Sequence, residues 1–281
     1  MATKLWTFVS GARVEFIVVA MALLILGGQT QAAPFLPNFD SATFEPGAAI
    51  DNTYFPLTDN KLRVFQGEVE SGGVLTNERF EFATLGTGPT ILGVQTTTRR
   101  DRAFKDGVLV EDTFDFYAQD TTGNVWYFGE DVTNYRYDEA GNLIGTDSES
   151  AWLAGANGAL PGFIMPADLT LGFNYFQESA PIDEALDQAT TIAIGQFVSI
   201  AFGDYNNVLK VLETSELIPD LREFKYYAPG QGLILLEEGL SADLSNPTGR
   251  LELVSEVPLP ATLWLLALGL TGLSQARPRR I

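Results

Sequence analysis

The centre of the chain alternates apolar and polar residues in short runs separated by turn-forming residues. The runs are rich in Phe, Tyr, Val, Ile and Thr, and a period of two residues is typical of β-strands. The pattern predicts a mainly β fold, either a single antiparallel curved sheet or a partly open β-barrel, with little helix. The one helical prediction is a turn or two over residues 183–189, with Asp183 as N-cap.

Turn sequences predict how the central strands pair. Asp106-Gly107 is typical of a type I′ hairpin, because both central positions need a positive φ. The run from Asp120 to Asn124 suits a three-residue loop with its glycine in the left-handed position, and a similar turn at Asp138 predicts a further hairpin. The predicted pairs are Lys105 with Val108, Phe104 with Leu109, Arg102 with Glu111, Arg100 with Thr113, Ala118 with Trp126, Tyr117 with Tyr127, and Phe116 with Phe128.

This register sorts the side chains of the central strands into two faces, since successive residues of a strand point to opposite sides. The predicted core face carries Val110, Phe114, Phe116, Ala118, Trp126 and Phe128. The predicted solvent face carries Arg100, Arg102, Glu111, Thr113, Asp115, Tyr117, Gln119 and Tyr127. A slip of one residue would mix the two sets, so the clean division supports the register.

The predicted solvent face contains the candidate binding residues. A cross-strand pair of Tyr117 and Tyr127, flanked by Asp115, Gln119 and Arg102, would offer flat rings and polar groups to a polysaccharide. The alternative is that the tyrosine pair only stabilises exposed sheet, by about 0.2–1 kcal/mol. The sequence therefore predicts a non-enzymatic protein that binds exopolysaccharide, with this structural role as the simpler interpretation.

Composition excludes several common chemistries. The chain contains no Cys and no His, so it has no disulfides, no lipid-anchor cysteine and no His or Cys ligands for zinc. Nucleophile systems that depend on His are excluded for the same reason. Carboxylates, Lys, Tyr and oxygen-bound cations are what the composition leaves for chemistry.

Structural calcium is the cofactor that this composition permits most readily. The candidate oxygen donors are Asp120, Asn124, Asp131, Glu178, Asp183 and Asp187. No EF-hand spacing is present. The alternative for Asp120 and for Asp138 is that each is a turn residue whose carboxylate accepts hydrogen bonds from nearby backbone N–H groups.

A secreted carboxylate-dependent hydrolase acting on polysaccharide is the alternative function. Its carboxylates would lie in the Gly- and Pro-rich loop region at residues 154–172, since a long ordered loop in a compact domain is often functional. Glu111 and Asp115 share a predicted face, but four residues of strand separate their Cα atoms by about 13 Å. That spacing disfavours the pair as a glycosidase dyad.

The first 32 residues have the order of a secretory signal peptide. Lys4 and Arg13 precede an apolar stretch from Phe16 to Leu26, and small residues follow. We expect signal peptidase to cleave here, so that the exported chain begins near Ala33. An uncleaved anchor is the alternative, although the apolar stretch is short for a membrane span of about 20 residues.

Residues 257–281 also combine an apolar run with basic residues, but the basic residues follow the apolar run. The motif Val257, Pro258, Leu259, Pro260 and Ala261 precedes an apolar run at residues 262–273, and the basic residues Arg277, Arg279 and Arg280 follow. This tail resembles the VPLPA form of the PEP-CTERM sorting signal. The resemblance implies an exosortase-type processing enzyme, a transient anchor in the inner membrane, and final location at the cell surface or in the extracellular matrix. An ordinary tail anchor is the alternative.

Between the two signals we predict an N-terminal segment at residues 33–51, a secreted β-rich domain at 52–240 and a polar linker at 241–256. The stretches Phe116 to Asp120, Gly123 to Glu130 and Lys225 to Gly230 resemble an uncharacterised secreted bacterial domain, which implies no activity. The whole chain has a net charge of −19, and the two tails contain more basic than acidic residues. The resulting acidic domain disfavours nucleic acid as a partner.

Overall fold

The computed structural model describes residues 33–58 and 61–259. These residues form fifteen strands and a short 3-10 helix at Phe39–Ser41. The strands are β1 (Lys61–Ser71), β2 (Val74–Ile91), β3 (Val94–Lys105), β4 (Val108–Gln119), β5 (Val125–Tyr137), β6 (Leu143–Asp147), β7 (Trp152–Leu153), β8 (Leu160–Met165), β9 (Asn174–Phe176), β10 (Glu178–Ser179), β11 (Asp187–Ile200), β12 (Gly203–Ser215), β13 (Arg222–Ala228), β14 (Gly232–Glu238) and β15 (Gly249–Pro258).

All the strands belong to one antiparallel sheet. Thirteen follow the order β10-β8-β5-β4-β3-β2-β1-β15-β14-β13-β12-β11-β9, while β6 and β7 pair with β5. The sheet curves into a nearly closed barrel with one unsealed seam, so the predicted mainly β, partly open barrel is confirmed. Within residues 33–58 and 61–259, no helix is long and apolar enough to cross a membrane.

Contacts between distant strands identify the face of the sheet that looks into the barrel. Arg99 on β3 interacts electrostatically with Tyr227 on β13, although β2, β1, β15 and β14 lie between these strands in the sheet. Asp115 and Tyr117 on β4 both contact Arg99. They therefore belong to the inner face, and the alternate residues of β4, such as Phe116, belong to the outer face.

The N-terminal segment covers the outer face of β4 and β5. Phe39 and Phe44 make edge contacts with the ring of Trp126, with centroid distances of 5.9 Å in both cases. Phe39 also contacts Phe128 at 5.8 Å. Trp126 and Phe128 are 2% and 0% exposed, which confirms that they are core residues. Because the inner face is also buried, this part of the sheet has no solvent side.

The predicted turns are confirmed. Asp106 and Gly107 have φ values of 48° and 81°, as a type I′ hairpin requires, and Lys105 pairs with Val108. In the next turn Gly123 has a φ of 93°. Tyr117 pairs with Tyr127 and Ala118 with Trp126, and β6 pairs with β5 through the turn at residues 138–142.

Two β-bulges make other predicted pairs wrong. A bulge between Ala103 and Phe104 pairs Arg102 with Asp112 instead of Glu111, and Arg100 with Phe114 instead of Thr113. A second bulge pairs Phe116 with Gly129 instead of Phe128. Each bulge inserts one unpaired residue. The first bulge therefore moves Arg100 and Arg102 to the outer face of the sheet, whereas Tyr117 lies on the inner face.

Three predictions about the end of the domain are also wrong. Asp183 lies in a turn, and β11 occupies residues 187–200, where the end of a helix was expected. The stretch at 154–172 contains the buried strand β8. The expected linker at 241–256 contains most of β15, which pairs with both β1 and β14. Leu251 and Leu253 of β15 are 0% exposed, so this segment belongs to the core.

Candidate functional site

The predicted tyrosine pair forms, but it lies inside the barrel. The rings of Tyr117 and Tyr127 stack with centroids 4.8 Å apart and an interplanar angle of 22°. Phe55 and Trp152 pack edge-on against them, and each tyrosine is 1% exposed. The prediction that these rings form a solvent-exposed platform for a sugar is therefore wrong, because the inner face of the barrel is closed over them.

The three residues predicted to flank the tyrosines lie in different places. Asp115 is buried beside the pair and accepts a hydrogen bond from the Tyr127 hydroxyl at 2.6 Å. The Gln119 side-chain oxygen accepts the backbone N–H groups of Asp51 and Asn52 at 3.0 and 2.9 Å. Arg102 lies on the outer face and pairs with Glu81. The structure brings only Asp115 together with the tyrosines, and Gln119 holds the N-terminal segment.

A buried carboxylate network surrounds the tyrosines. Arg99 Nη2 donates to Asp101 Oδ2 at 2.9 Å, to Asp115 Oδ2 at 3.3 Å and to the Tyr117 hydroxyl at 3.1 Å. Burial raises the pKa of Asp101 well above its ordinary value; Arg99 opposes the increase and Asp115 adds to it. One arginine thus serves two carboxyl groups that are both 0% exposed.

The hydroxyl of Tyr127 shows that the network shares protons. It lies 2.6 Å from Asp115 Oδ1 and 2.9 Å from Glu130 Oε2. A hydroxyl has one proton to donate, so it can satisfy only one ionised carboxylate at a time. Burial, followed by the nearby Glu178 and Asp115 carboxylates, raises the pKa of Glu130 well above its ordinary value. The raised pKa favours the protonated form of Glu130, which would leave the tyrosine proton to Asp115.

A second buried cluster lies on β12, β13 and β14. Glu213 and Lys225 form an ion pair, and Gln177 donates to Glu213 Oε1 at 2.9 Å. Burial raises the pKa of Glu223 to about 7; Lys225 lowers it and Glu213 raises it. Glu223 Oε1 and Glu238 Oε1 are both buried without a hydrogen-bond partner. The inner face therefore holds more carboxyl groups than cations to neutralise them.

The calcium donors do not converge. Asp120 accepts from Thr122 N at 2.8 Å, Asn124 N at 3.0 Å and Trp126 Nε1 at 2.8 Å. Burial would raise the pKa of Asp120, but hydrogen bonds from Asn124, Thr122 and Trp126 outweigh it and lower the value. Glu178 accepts from Trp152, and Asp183 from Asn157. Among residues 33–58 and 61–259, no three acidic side chains converge closely enough to hold a metal; structural calcium stays a prediction.

Sequence reasoning missed an arginine and aromatic cluster on the outer face of β2 to β5. We call it the arginine–aromatic face, and it consists of Arg79, Arg100, Arg102, Phe104, Phe114 and Tyr135. The cross-strand pairs Arg79 with Phe104 and Arg100 with Phe114 place these side chains on one side. The side chains of the three arginines are 35%, 35% and 32% exposed, and the rings are partly exposed. The cluster was missed because the predicted register lacked the bulge that places Arg100 and Arg102 on this face.

The guanidinium groups on this face lie over the aromatic rings. The Arg79 guanidinium carbon lies 4.1 Å from the centroid of Phe104, and that of Arg100 lies 5.5 Å from Phe114. Arg100 also forms two parallel hydrogen bonds to Asp112, at 2.7 and 2.5 Å. These contacts fix the arginines in position and keep the face close to neutral in a strongly acidic chain.

The comparisons with known proteins identify the tail. Residues 256–280 match the PEP-CTERM protein-sorting motif, while no curated protein is significantly similar in sequence. A Bacteroides fragilis protein described as exported, with a YmcC-like fold, is 10% identical with a TM-score of 0.38. A Parabacteroides distasonis protein described as a lipoprotein is 12% identical with a TM-score of 0.36. Each match covers 73% of this chain and 99% of the other.

The position of the motif relative to the fold is clear on its N-terminal side. Strand β15 ends at Pro258, and the exposed Val257 lies at the edge of the described residues. Residues 260–281, which contain the rest of the predicted sorting motif and its arginines, and the predicted signal peptide at 1–32, lie outside the described residues. The predicted sorting signal is confirmed by the family match: this chain is an exported protein that carries a PEP-CTERM protein-sorting motif at residues 256–280.

Proposed function

We propose that this is a non-enzymatic cell-surface or matrix protein that binds exopolysaccharide through the arginine–aromatic face. The observation that supports it is the clustering of three partly exposed arginines and three partly exposed rings on one open face of the sheet. The tyrosine pair cannot serve this purpose because it is buried. The binding function predicted from the sequence therefore belongs to a different set of residues.

The chemistry of this face suits a sugar chain. The ring of Tyr135 can stack on the apolar face of a sugar ring, and guanidinium groups donate several hydrogen bonds to hydroxyl or carboxylate groups. Arginines that are already held by rings and by Asp112 lose little conformational freedom on binding. The proposed ligand is an extended polysaccharide, since the face is an open surface and not an enclosed pocket.

Substitution on this face should weaken polysaccharide binding without unfolding the protein. We choose Arg79→Gln with Tyr135→Ala. Glu81 loses its ion pair with Arg79 in this variant but keeps the one with Arg102, so the buried carboxylate stays paired. Affinity electrophoresis in gels containing polygalacturonate or dextran measures binding to an anionic and a neutral polymer. We expect the double variant to bind at least about tenfold more weakly, which corresponds to about 1.4 kcal/mol.

A matched control lies on the far side of the barrel. Arg222→Gln with Tyr205→Ala makes the same chemical changes on β13 and β12 and should leave the retardation unchanged. Thermal melts of both variants check that they are folded. The proposal is wrong if the unsubstituted protein binds neither polymer, or if the two double variants lose binding equally.

For the alternative hydrolase function, the candidate catalytic residues are the buried carboxyl groups. Asp115 and Glu130 both contact the Tyr127 hydroxyl, but they are 0% and 6% exposed. Asp168 is the one acidic residue in the stretch at 154–172. A turnover screen on the same two polymers separates the functions, because binding without product supports the first.

A further inference from the structure

The seam of the barrel is its weakest closure. Residues 174–179, which we call the seam segment, pair with β11 at one end and with β8 at the other. The bridge to β8 consists of only two residue pairs, Glu178 with Pro161 and Ser179 with Leu160. Phe35 adds two backbone hydrogen bonds to β9, at 2.8 and 3.0 Å. The rest of the barrel wall is held by longer ladders.

The side chain of Glu178 is buried behind this weak bridge. It is 2% exposed and accepts a hydrogen bond from Trp152 Nε1 at 2.8 Å. Asp187 on β11 and Glu130 on β5 interact with it electrostatically, and Tyr127 on β5 is also near. Asp115 and Glu111 on β4 in turn face Glu130. Among residues 33–58 and 61–259, no Lys or Arg is paired with Glu178 or with Glu130.

The neighbouring residue Gln177 extends the acidic surroundings along the seam. It donates to Glu213 on β12, while its own side-chain oxygen is buried without a partner. Glu213 is paired with Lys225 on β13, and Glu223 faces the same pair. Lys225 is thus already engaged by other carboxylates. Negative charge at Glu178 would be opposed by Asp187 and Glu130, and it would be stabilised by hydrogen bonds from Trp152 and the Asp187 backbone and not by a cation of the described residues.

Protonation of the buried carboxyl groups favours the closed seam. Burial, followed by the Asp187 carboxylate, raises the pKa of Glu178 to about 8. Burial, with Glu213 also contributing, raises the pKa of Asp187. A group whose pKa is raised in the folded state stabilises that state at low pH, and the stabilisation is lost as the pH rises through the folded value. For Glu178 that loss runs from its ordinary value near 4.5 to about 8.

We propose that the seam segment is a pH-controlled gate, closed while Glu178 and Glu130 are protonated and opened by their ionisation, which exposes the aromatic interior of the barrel. Like charges at low dielectric repel strongly, and two residue pairs are a small barrier to separation. The rest of the wall keeps its ladders, so the opening is local and the barrel remains folded. This gate is independent of the arginine–aromatic face.

The absence of Cys from the chain makes a single introduced thiol a unique probe of the gate. Ala180→Cys places it next to the bridge, and Ala228→Cys places it on β13; both alanines are 1% exposed. Labelling with iodoacetamide is measured on the protein purified from the cell surface. Each rate is divided by the rate of the same variant in urea at the same pH, which removes the effect of thiol ionisation.

We expect the normalised rate at position 180 to rise at least about tenfold between pH 6 and pH 9, since pH 9 is about one unit above the folded pKa. Position 228 should stay protected at both pH values. Adding Glu178→Gln, which keeps an acceptor for Trp152 and cannot ionise, should hold position 180 within about twofold. Asp187→Asn provides a second test, because it should reduce the rise.

Three results would overturn the gate. One is an unchanged rate at position 180 between pH 6 and pH 9. Another is a parallel rise at position 228, which would mean that the whole barrel unfolds. The third is an undiminished rise in both the Glu178→Gln and Asp187→Asn backgrounds, which would mean that these carboxyl groups do not control the seam.

Discussion

Tyr127→Ala should lower the free energy of unfolding by about 3–5 kcal/mol, which is the usual cost of truncating a buried aromatic side chain. Tyr127 is 1% exposed and stacks on Tyr117. Its removal would also deprive Asp115 and Glu130 of the hydroxyl that contacts both carboxyl groups. Because small domains are stable by about 5–15 kcal/mol, urea melts should show a variant close to unfolding.

Tyr127→Phe is the matched control for this prediction. It keeps the ring and removes the hydroxyl, so we expect a loss of about 1–3 kcal/mol from the unsatisfied carboxyl groups. Trp126→Ala on the outer face should cost as much as Tyr127→Ala, since both faces are buried here. A Tyr127→Ala variant that melts like the unsubstituted protein would show that the ring is exposed, as the sequence predicted.

Ending the chain after Thr248 should prevent folding, whereas ending it after Pro258 should not. Strand β15 pairs with β1 on one side and β14 on the other, so its loss would divide the sheet into two parts with exposed edges. The loss would also remove Leu251 and Leu253 from the core, at about 1.5–3 kcal/mol each for the burial alone. Circular dichroism and melts of the two chains measure the difference.

The longer chain is the control, because it lacks the sorting tail but keeps β15. It should give a β-rich spectrum and a cooperative melt. Equal melts of the two chains would mean that residues 249–258 are the linker that the sequence predicted. The position of β15 also explains how a tail at 256–280 can be removed without damage to the barrel, provided that cleavage falls at or after Pro258.

Turns were the most predictable part of the fold because their chemistry is local. Asp106 and Gly107 can both adopt the positive φ that their turn requires. The carboxylate of Asp120 accepts hydrogen bonds from backbone N–H groups of its own loop. Both features are readable from a few adjacent residues. The pairing of Tyr117 with Tyr127 was predicted correctly because it lies close to a correctly predicted turn.

The faces were less predictable because they depend on residues far away in the chain. The bulge at Ala103 and Phe104 adds one residue where the alternation of polar and apolar side chains gives no sign of it. The N-terminal segment buries the outer face through Phe39 and Phe44. Alternation shows that two faces differ, but it does not show that a barrel closes over the more polar one.

The inner network was hidden for a related reason. Of the three acidic residues in this network, the predicted register placed only Asp115 on the solvent face, and charged residues are rarely buried unless paired. Closing the barrel brings them together with Arg99 and Tyr127. The sequence contains these residues, but the need for shared protons arises only from their enclosure.

The most direct test of the account is the intact mass of the protein isolated from the surface of a host that has an exosortase. We predict a chain that begins near Ala33 and ends between Val257 and Ala261, since residues 256–280 match the sorting motif. The same host without its exosortase should retain the uncleaved tail. A surface protein whose mass includes Ile281 would contradict the account.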